Sequence, residues 1–302
     1  MISNLAVFWS YLLFLIPSLI CSLFLLYYLL FDRTLRSALH NHVIIVVLFI
    51  VLIYELTIYP WMLYYYYHQR SALAASNLFC TIRTFLDWDL YITQSFLVSW
   101  ATIERHILIF HEKWISTKTK RFFLHYFPLI SIVFYCLIFH IIVYFLPPCQ
   151  NSFDNVSLTC VYSCLYDIYP EFSVGQTIFH QILPVVIIIV FSIALIVRVI
   201  WQKFRLHQAV HWRKYRKMTI QLLSIAFLYL LFYLPLSISY TILLCDVGED
   251  IIIDFLEYSI FFSYFMILLF PFVSILSLPE LQMKLVNRLR RQILPMNIPV
   301  HR

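Results

Sequence analysis

Residues 99–110, SWATIERHILIF, set Glu104, Arg105 and His106 at the end of a long apolar stretch. A guanidinium keeps its charge and is costly in hydrocarbon, so Arg105 must find a partner or water, and the adjacent Glu104 can supply charge. Earlier in the same run stand Asp87 and Asp89, with Trp88 between them and Tyr91 one helical turn beyond Asp87. A carboxylate among aromatic rings can hold a cation. The same acids can instead be neutralised internally, because Arg83 lies four residues before Asp87. Glu55 is a third acid inside an apolar run, and ionisable groups in that setting mark function by default. Hydrolytic or phosphoryl chemistry has no comparable support. His111-Glu112 does not continue into His-Glu-x-x-His, and with Gly175 and Gly248 the only glycines, there is no Gly-x-Ser-x-Gly turn and no phosphate loop. The expectation is a non-enzyme with no cofactor and no metal site.

Membrane helices must position these groups. Charged residues are 12% of the chain, against roughly 25% in soluble domains. That is too little charge to cover a globular surface over 302 residues, so lipid is the expected solvent. Seven apolar runs are long enough to cross a bilayer, at about 7–31, 43–67, 83–110, 122–147, 176–201, 219–244 and 255–278. Only helices satisfy their backbone over such lengths in lipid. The first run lacks a basic leader and a small-residue cleavage site, which makes it a retained anchor. Of the 21 Lys and Arg, all but Arg70 and Arg83 lie in or beside the connections after runs one, three, five and seven. The positive-inside rule then places the amino terminus outside and the carboxyl terminus inside. The net charge of +6 therefore faces anionic inner-leaflet lipid and cytosolic partners rather than nucleic acid. The outer side carries Asp154, Asp167, Glu171, Asp246, Glu249, Asp250, Asp254 and Glu257, which would attract a cationic ligand. The four tyrosines at 64–67 sit where an interfacial aromatic belt belongs. Residues 278–294 repeat Leu281, Leu285, Leu289 and Ile293 on one face and Lys284, Arg288 and Arg291 on another, as a helix lying on the inner leaflet would.

Cys21 and Cys136 fall within apolar runs, whereas Cys80, Cys149, Cys160, Cys164 and Cys245 lie on the outer, oxidising side. A bridge from Cys80 to the 148–175 loop is expected, with Cys164 or Cys160 as partner, and Cys149 can close a second ring; sequence leaves the connectivity open. Asn155-Val156-Ser157 is a glycosylation sequon in that loop.

Seven helices with a cysteine heading the third and Glu-Arg-His at its foot resemble the rhodopsin-like G-protein-coupled receptors. Arg105 follows Cys80 at the interval this family keeps between its helix-three cysteine and its Asp/Glu-Arg-Tyr arginine. Pro60 and Pro184 look like the helix-two and helix-five prolines. Phe232-Tyr233-Leu234-Pro235 is similar to the helix-six Cys-Trp-x-Pro, and Phe270-Pro271-Phe272-Val273-Ser274 stands in place of Asn-Pro-x-x-Tyr. The chain departs from the family at Val51, where the helix-two aspartate would be, and at Phe270, so a sodium pocket is not expected. It also departs at Ser192 and Ser274, which replace tyrosines, and at Tyr215, where many members carry a helix-six acid.

The resemblance implies a multi-pass receptor of the plasma membrane: a seven-transmembrane bundle with a short interfacial eighth helix. Its Glu104, Arg105 and His106 would couple to a heterotrimeric G protein, with Glu104 restraining Arg105 at rest. Asp87 falls where amine receptors pair an aspartate with the ligand's ammonium, and Tyr264 where they place a tyrosine bonded to that aspartate. Trp88, Tyr91, Gln176, His180, Ser237 and Tyr240 would line the same cavity. The ligand is then a small cationic amine or a short peptide. A transporter or channel subunit is the competing class, and it would show paired broken helices or repeat halves.

Overall fold

Without water to bond to, an apolar chain must close its backbone hydrogen bonds within each segment, and this one does so almost entirely as helix. The computed structural model describes residues 3–68, 76–111, 114, 116–154, 158–206, 209–244, 249–278 and 281; at 202–206, 209–218 and 249–252 it describes backbone alone. In chain order the elements begin with α1 (Asn4–Phe31), a short α2 (Arg33–Ser37), α3 (Leu39–Tyr67) and α4 (Asn77–Phe110). Next come α5 (Lys118–Arg121), α6 (Phe127–Phe145) and an antiparallel hairpin of β1 (Ser152–Phe153) and β2 (Val161–Tyr162). The last are α7 (Cys164–Ile168), α8 (Pro170–Gln176), α9 (Leu183–Leu206), α10 (Ala209–Leu244) and α11 (Glu249–Ser277).

Among the described residues, six helical stretches are long and apolar enough to cross a membrane: Asn4–Phe31, Leu39–Tyr67, Lys118–Phe145, Pro170–Trp201, Thr219–Leu244 and Ile253–Ser277. The chain is an all-α, multi-pass membrane protein. The remaining long helix, α4, is 34 residues long but more polar, and its position explains why. It packs against α3, α6, α9 and α10, and its Arg83, Asp87, Asp89, Glu104 and Arg105 are all buried. A helix surrounded by protein needs no lipid-facing stripe. α6 has one: Phe127, Ile130, Phe134, Ile138 and Ile142 are exposed at three- and four-residue intervals, while Leu129, Cys136, His140 and Val143 turn inward.

Hydroxyl groups tie α1, α3 and α11 together, since in an apolar interior each needs a partner. Tyr11 donates to the Phe261 carbonyl at 3.0 Å and Tyr59 to the Tyr264 carbonyl at 2.7 Å. Ser18 bonds both the Leu268 carbonyl, at 2.7 Å, and the carboxylate of Glu55, which is buried one turn beyond Val51.

Two wide π turns, Phe122–Tyr126 and Thr177–Ile182, precede α6 and α9. Each stops two residues before a proline, Pro128 or Pro184. A proline lacks the amide hydrogen and crowds the carbonyl four residues back, and a looser turn absorbs both effects. The turns carry His125 and His180 into the interior.

Some expectations need correction. The 64–67 tyrosines are not a uniform belt: Tyr67 is 63% exposed, whereas Tyr65 is 4% exposed and faces inward. The short α2, capped by Asp32 accepting from the Thr34 amide at 3.0 Å, was not expected. Of the predicted helix at 278–294, only Leu278 and Leu281 are described, and both are buried.

Candidate functional site

α4 carries polar groups at both ends, and the structure builds a different surrounding around each. At the Cys80 end, Cys80 is bridged to Cys160 and Cys149 to Cys164. Cys164, the first partner expected for Cys80, is instead held at the end of α6. Its amide donates to Asn151 at 3.3 Å, the Asn151 side-chain amide donates to the Tyr144 carbonyl, and Ser163 donates to the Val143 carbonyl. Cys160 turns back over α4 with a positive φ of 36°, the only such non-glycine among the described residues. The segment beside it docks on α4 directly: Arg83 donates to the Leu158 carbonyl at 2.5 Å, and Thr84 donates to the Thr159 carbonyl.

Beneath this cover lies a cavity of about 550 Å³. Its walls come from α1 (Val7), α3 (Tyr65, Tyr66), α4 (Asp87, Trp88, Tyr91), the hairpin region (Asp154, Leu158, Thr159), α10 (Leu236, Tyr240) and α11 (Glu257, Ile260, Phe261, Ser263, Tyr264). Five of the expected residues therefore meet: Asp87, Trp88, Tyr91, Tyr240 and Tyr264. Gln176, His180 and Ser237 do not line it. Gln176 ends α8 and contacts Tyr166, whose phenol is pushed up by burial. His180 lies 3.0 Å from the Tyr135 hydroxyl and stacks on Phe139 at 4.4 Å.

Asp87 is fully engaged. Arg83 reaches its Oδ2 at 3.1 Å, Tyr264 donates to the same oxygen at 3.2 Å, and Tyr54 donates to Oδ1. The internal pair that the spacing allowed and the tyrosine contact that the resemblance implied are both present. Asp89 turns away from the cavity to His140, 3.1 Å distant. Two wall groups were readable from sequence only in part. Glu257 and Phe261 fall on the face of Tyr264, seven and three residues earlier on α11, so helical periodicity from Tyr264 points to both. Tyr66 was hidden within the tyrosine run.

At the other end, Arg105 is only 3% exposed. It donates to the His40 carbonyl of α3 at 3.1 Å and approaches the Gln221 side-chain oxygen of α10 at 3.5 Å. Glu104, expected to restrain Arg105, pairs instead with Nδ1 of His125. Successive residues on a helix point about 100° apart, so the neighbouring side chains leave in different directions. His106 packs its ring against Phe110 and Phe191, 5.2 and 5.7 Å away. No group of three or more metal-binding side chains occurs among the described residues. Asn155, Cys245 and the side chain of Tyr215 lie outside what is described.

Compared with models of protein families, the chain matches none, and comparison with curated proteins finds no match.

Proposed function

We propose that the chain is a seven-helix plasma-membrane receptor, a divergent relative of the rhodopsin-like G-protein-coupled receptors, with its amino terminus outside. It binds a small cationic amine, or the basic end of a short peptide, near Cys80 and activates a heterotrimeric G protein through Arg105. One observation carries the reading. A single buried helix, α4, runs from a ligand-sized cavity under a disulfide-held cover to a buried arginine at its opposite end. Cavities of roughly 300–1,000 Å³ with mostly apolar walls and a few polar groups suit small ligands.

The make-up of the cavity wall favours a cation. Three carboxylates line it, Asp87, Asp154 and Glu257, beside the rings of Trp88, Tyr91, Tyr240 and Tyr264. The ligand's ammonium belongs among these carboxylates and rings, with Asp87 also orienting Tyr54 and Tyr264.

A G-protein activation screen in cells with cationic amines and amidated peptides tests this, alongside glycosylation mapping at Asn155. The expected result is an agonist whose potency falls in Glu257→Gln and a glycan at Asn155. A protein without agonists among cations, or one whose 148–175 loop is shown to be cytosolic, is not this receptor.

A further inference from the structure

At the Arg105 end, three buried or half-buried side chains form a continuous chain. Glu104 contacts Nδ1 of His125, Nε2 of His125 lies 2.8 Å from Nδ1 of His42, and Nε2 of His42 lies 2.8 Å from the Arg36 carbonyl oxygen. The chain starts on α4, crosses the π turn before α6 and then α3, and ends on α2. His125 enters it only because the π turn ahead of Pro128 directs that side chain inward, where it is 0% exposed. The neighbouring charged and titratable groups among the described residues are Arg105, which bonds the His40 carbonyl, the His40 ring beside His42, Arg36, and Tyr126, whose ring stacks on His42 at 5.7 Å.

Three contacts need three protons, one in each. Two neutral imidazoles bring one each, an ionised carboxylate brings none, and a carbonyl only accepts. The geometry points to a relay that binds one additional proton: Glu104, His125 and His42 share it, and the contact with the Arg36 carbonyl closes only while it is held. With the proton bound, every contact has a donor and an acceptor. Its loss is balanced by a shift along the chain: Nε2–H of His125 passes to Nδ1 of His42, and Nε2–H of His42 passes to water. His125 keeps its Nδ1–H toward Glu104, and His42 becomes the Nδ1–H tautomer donating to His125. Two acceptors then face each other at Arg36, the outermost link, where water can separate them. No electrons move. The relay is thus a one-proton latch on the α2 connection, with His42, half-buried, as its exit. That the proton comes from the cytosol rests on the orientation proposed above; the relay itself does not.

Histidine side-chain ¹⁵N NMR of the full chain in lipid nanodiscs, titrated from about pH 5 to about 8.5 across the range where imidazoles respond, tests this directly. The His42 signal is assigned by its absence in His42→Gln. The expected result is one tautomer step at His42, from Nε2–H to Nδ1–H, with a single proton released by the two rings together. Glu104→Gln supplies an amide N–H to Nδ1 of His125, completing the three donors without the extra proton, so the step disappears and His42 stays Nε2–H. A His42 tautomer that ignores pH in the wild type, independent titration of the two rings, or a step that persists in Glu104→Gln each overturns the proposal. All three readouts are independent of ligand and G protein, so a failed receptor reading leaves them intact.

Discussion

The two ends of α4 bury an acid and a base under opposite rules. At the Cys80 end the charges are matched to each other: Arg83 meets Asp87 at 3.1 Å, two tyrosines satisfy the carboxylate, and a disulfide pins the helix to its cover. At the Arg105 end adjacent opposite charges part, Glu104 going to a histidine and Arg105 to a carbonyl and an amide. A buried ion pair is costly to break, because removing either partner strands the other. The carbonyl and amide that bond Arg105 are neutral and hold its charge less firmly, so the second arrangement can change. The contrast teaches where to look for structure and where for switching: lesions near Cys80 should cost folding, and lesions near Arg105 should change signalling with little loss of stability.

The sharpest way to break that contrast is the disulfide. Cys80–Cys160 spans 80 residues and Cys149–Cys164 spans 15. Chain entropy predicts that Cys80→Ser loses about 4.5 kcal/mol and Cys149→Ser about 3 kcal/mol, an order that thermal unfolding of the purified protein will check. Asp87→Ala comes next, at about 4 kcal/mol, because it leaves the Arg83 guanidinium buried and unmatched; the double variant Arg83→Met/Asp87→Leu should recover most of the loss in the same assay. Tyr54→Phe removes one hydrogen bond to a carboxylate and is expected to lower stability by about 1.5–3 kcal/mol. The smallest effect belongs at the other end, where Gln221→Leu deletes a 3.5 Å contact with Arg105; its stability change should stay near or below about 1 kcal/mol. Equal losses for Tyr54→Phe and Gln221→Leu would erase the contrast.

The helices were legible because length and apolarity decide them. The runs expected at 83–110 and 219–244 appear as Asn77–Phe110 and Ala209–Leu244, extended where capping or continued helix outlasts the apolar pattern. Ser76, for example, caps α4 by accepting from the Phe79 amide, which a hydropathy reading does not register. Five of eight expected cavity residues converge because helical spacing from Asp87 and Tyr264 fixes a face. What sequence withheld is what depends on packing between distant segments. Which cysteine meets Cys80 is set by the loop bonds of Asn151 and Ser163. His42 and His125 lie 83 residues apart, and they meet because a π turn rotates one of them inward. His180 missed the cavity for the same reason, since its own π turn aims it at Tyr135 and Phe139.

The central claim is that events in the cavity at one end of α4 are read out through Arg105 at the other. The direct measurement is nucleotide exchange on a purified heterotrimeric G protein, driven by the full chain in lipid nanodiscs with a cationic agonist from the screen, for the wild type and Arg105→Leu at matched amounts of folded protein. Agonist-stimulated exchange should be present in the wild type and lost in Arg105→Leu, with agonist binding retained. Exchange that survives the loss of Arg105 would contradict the account.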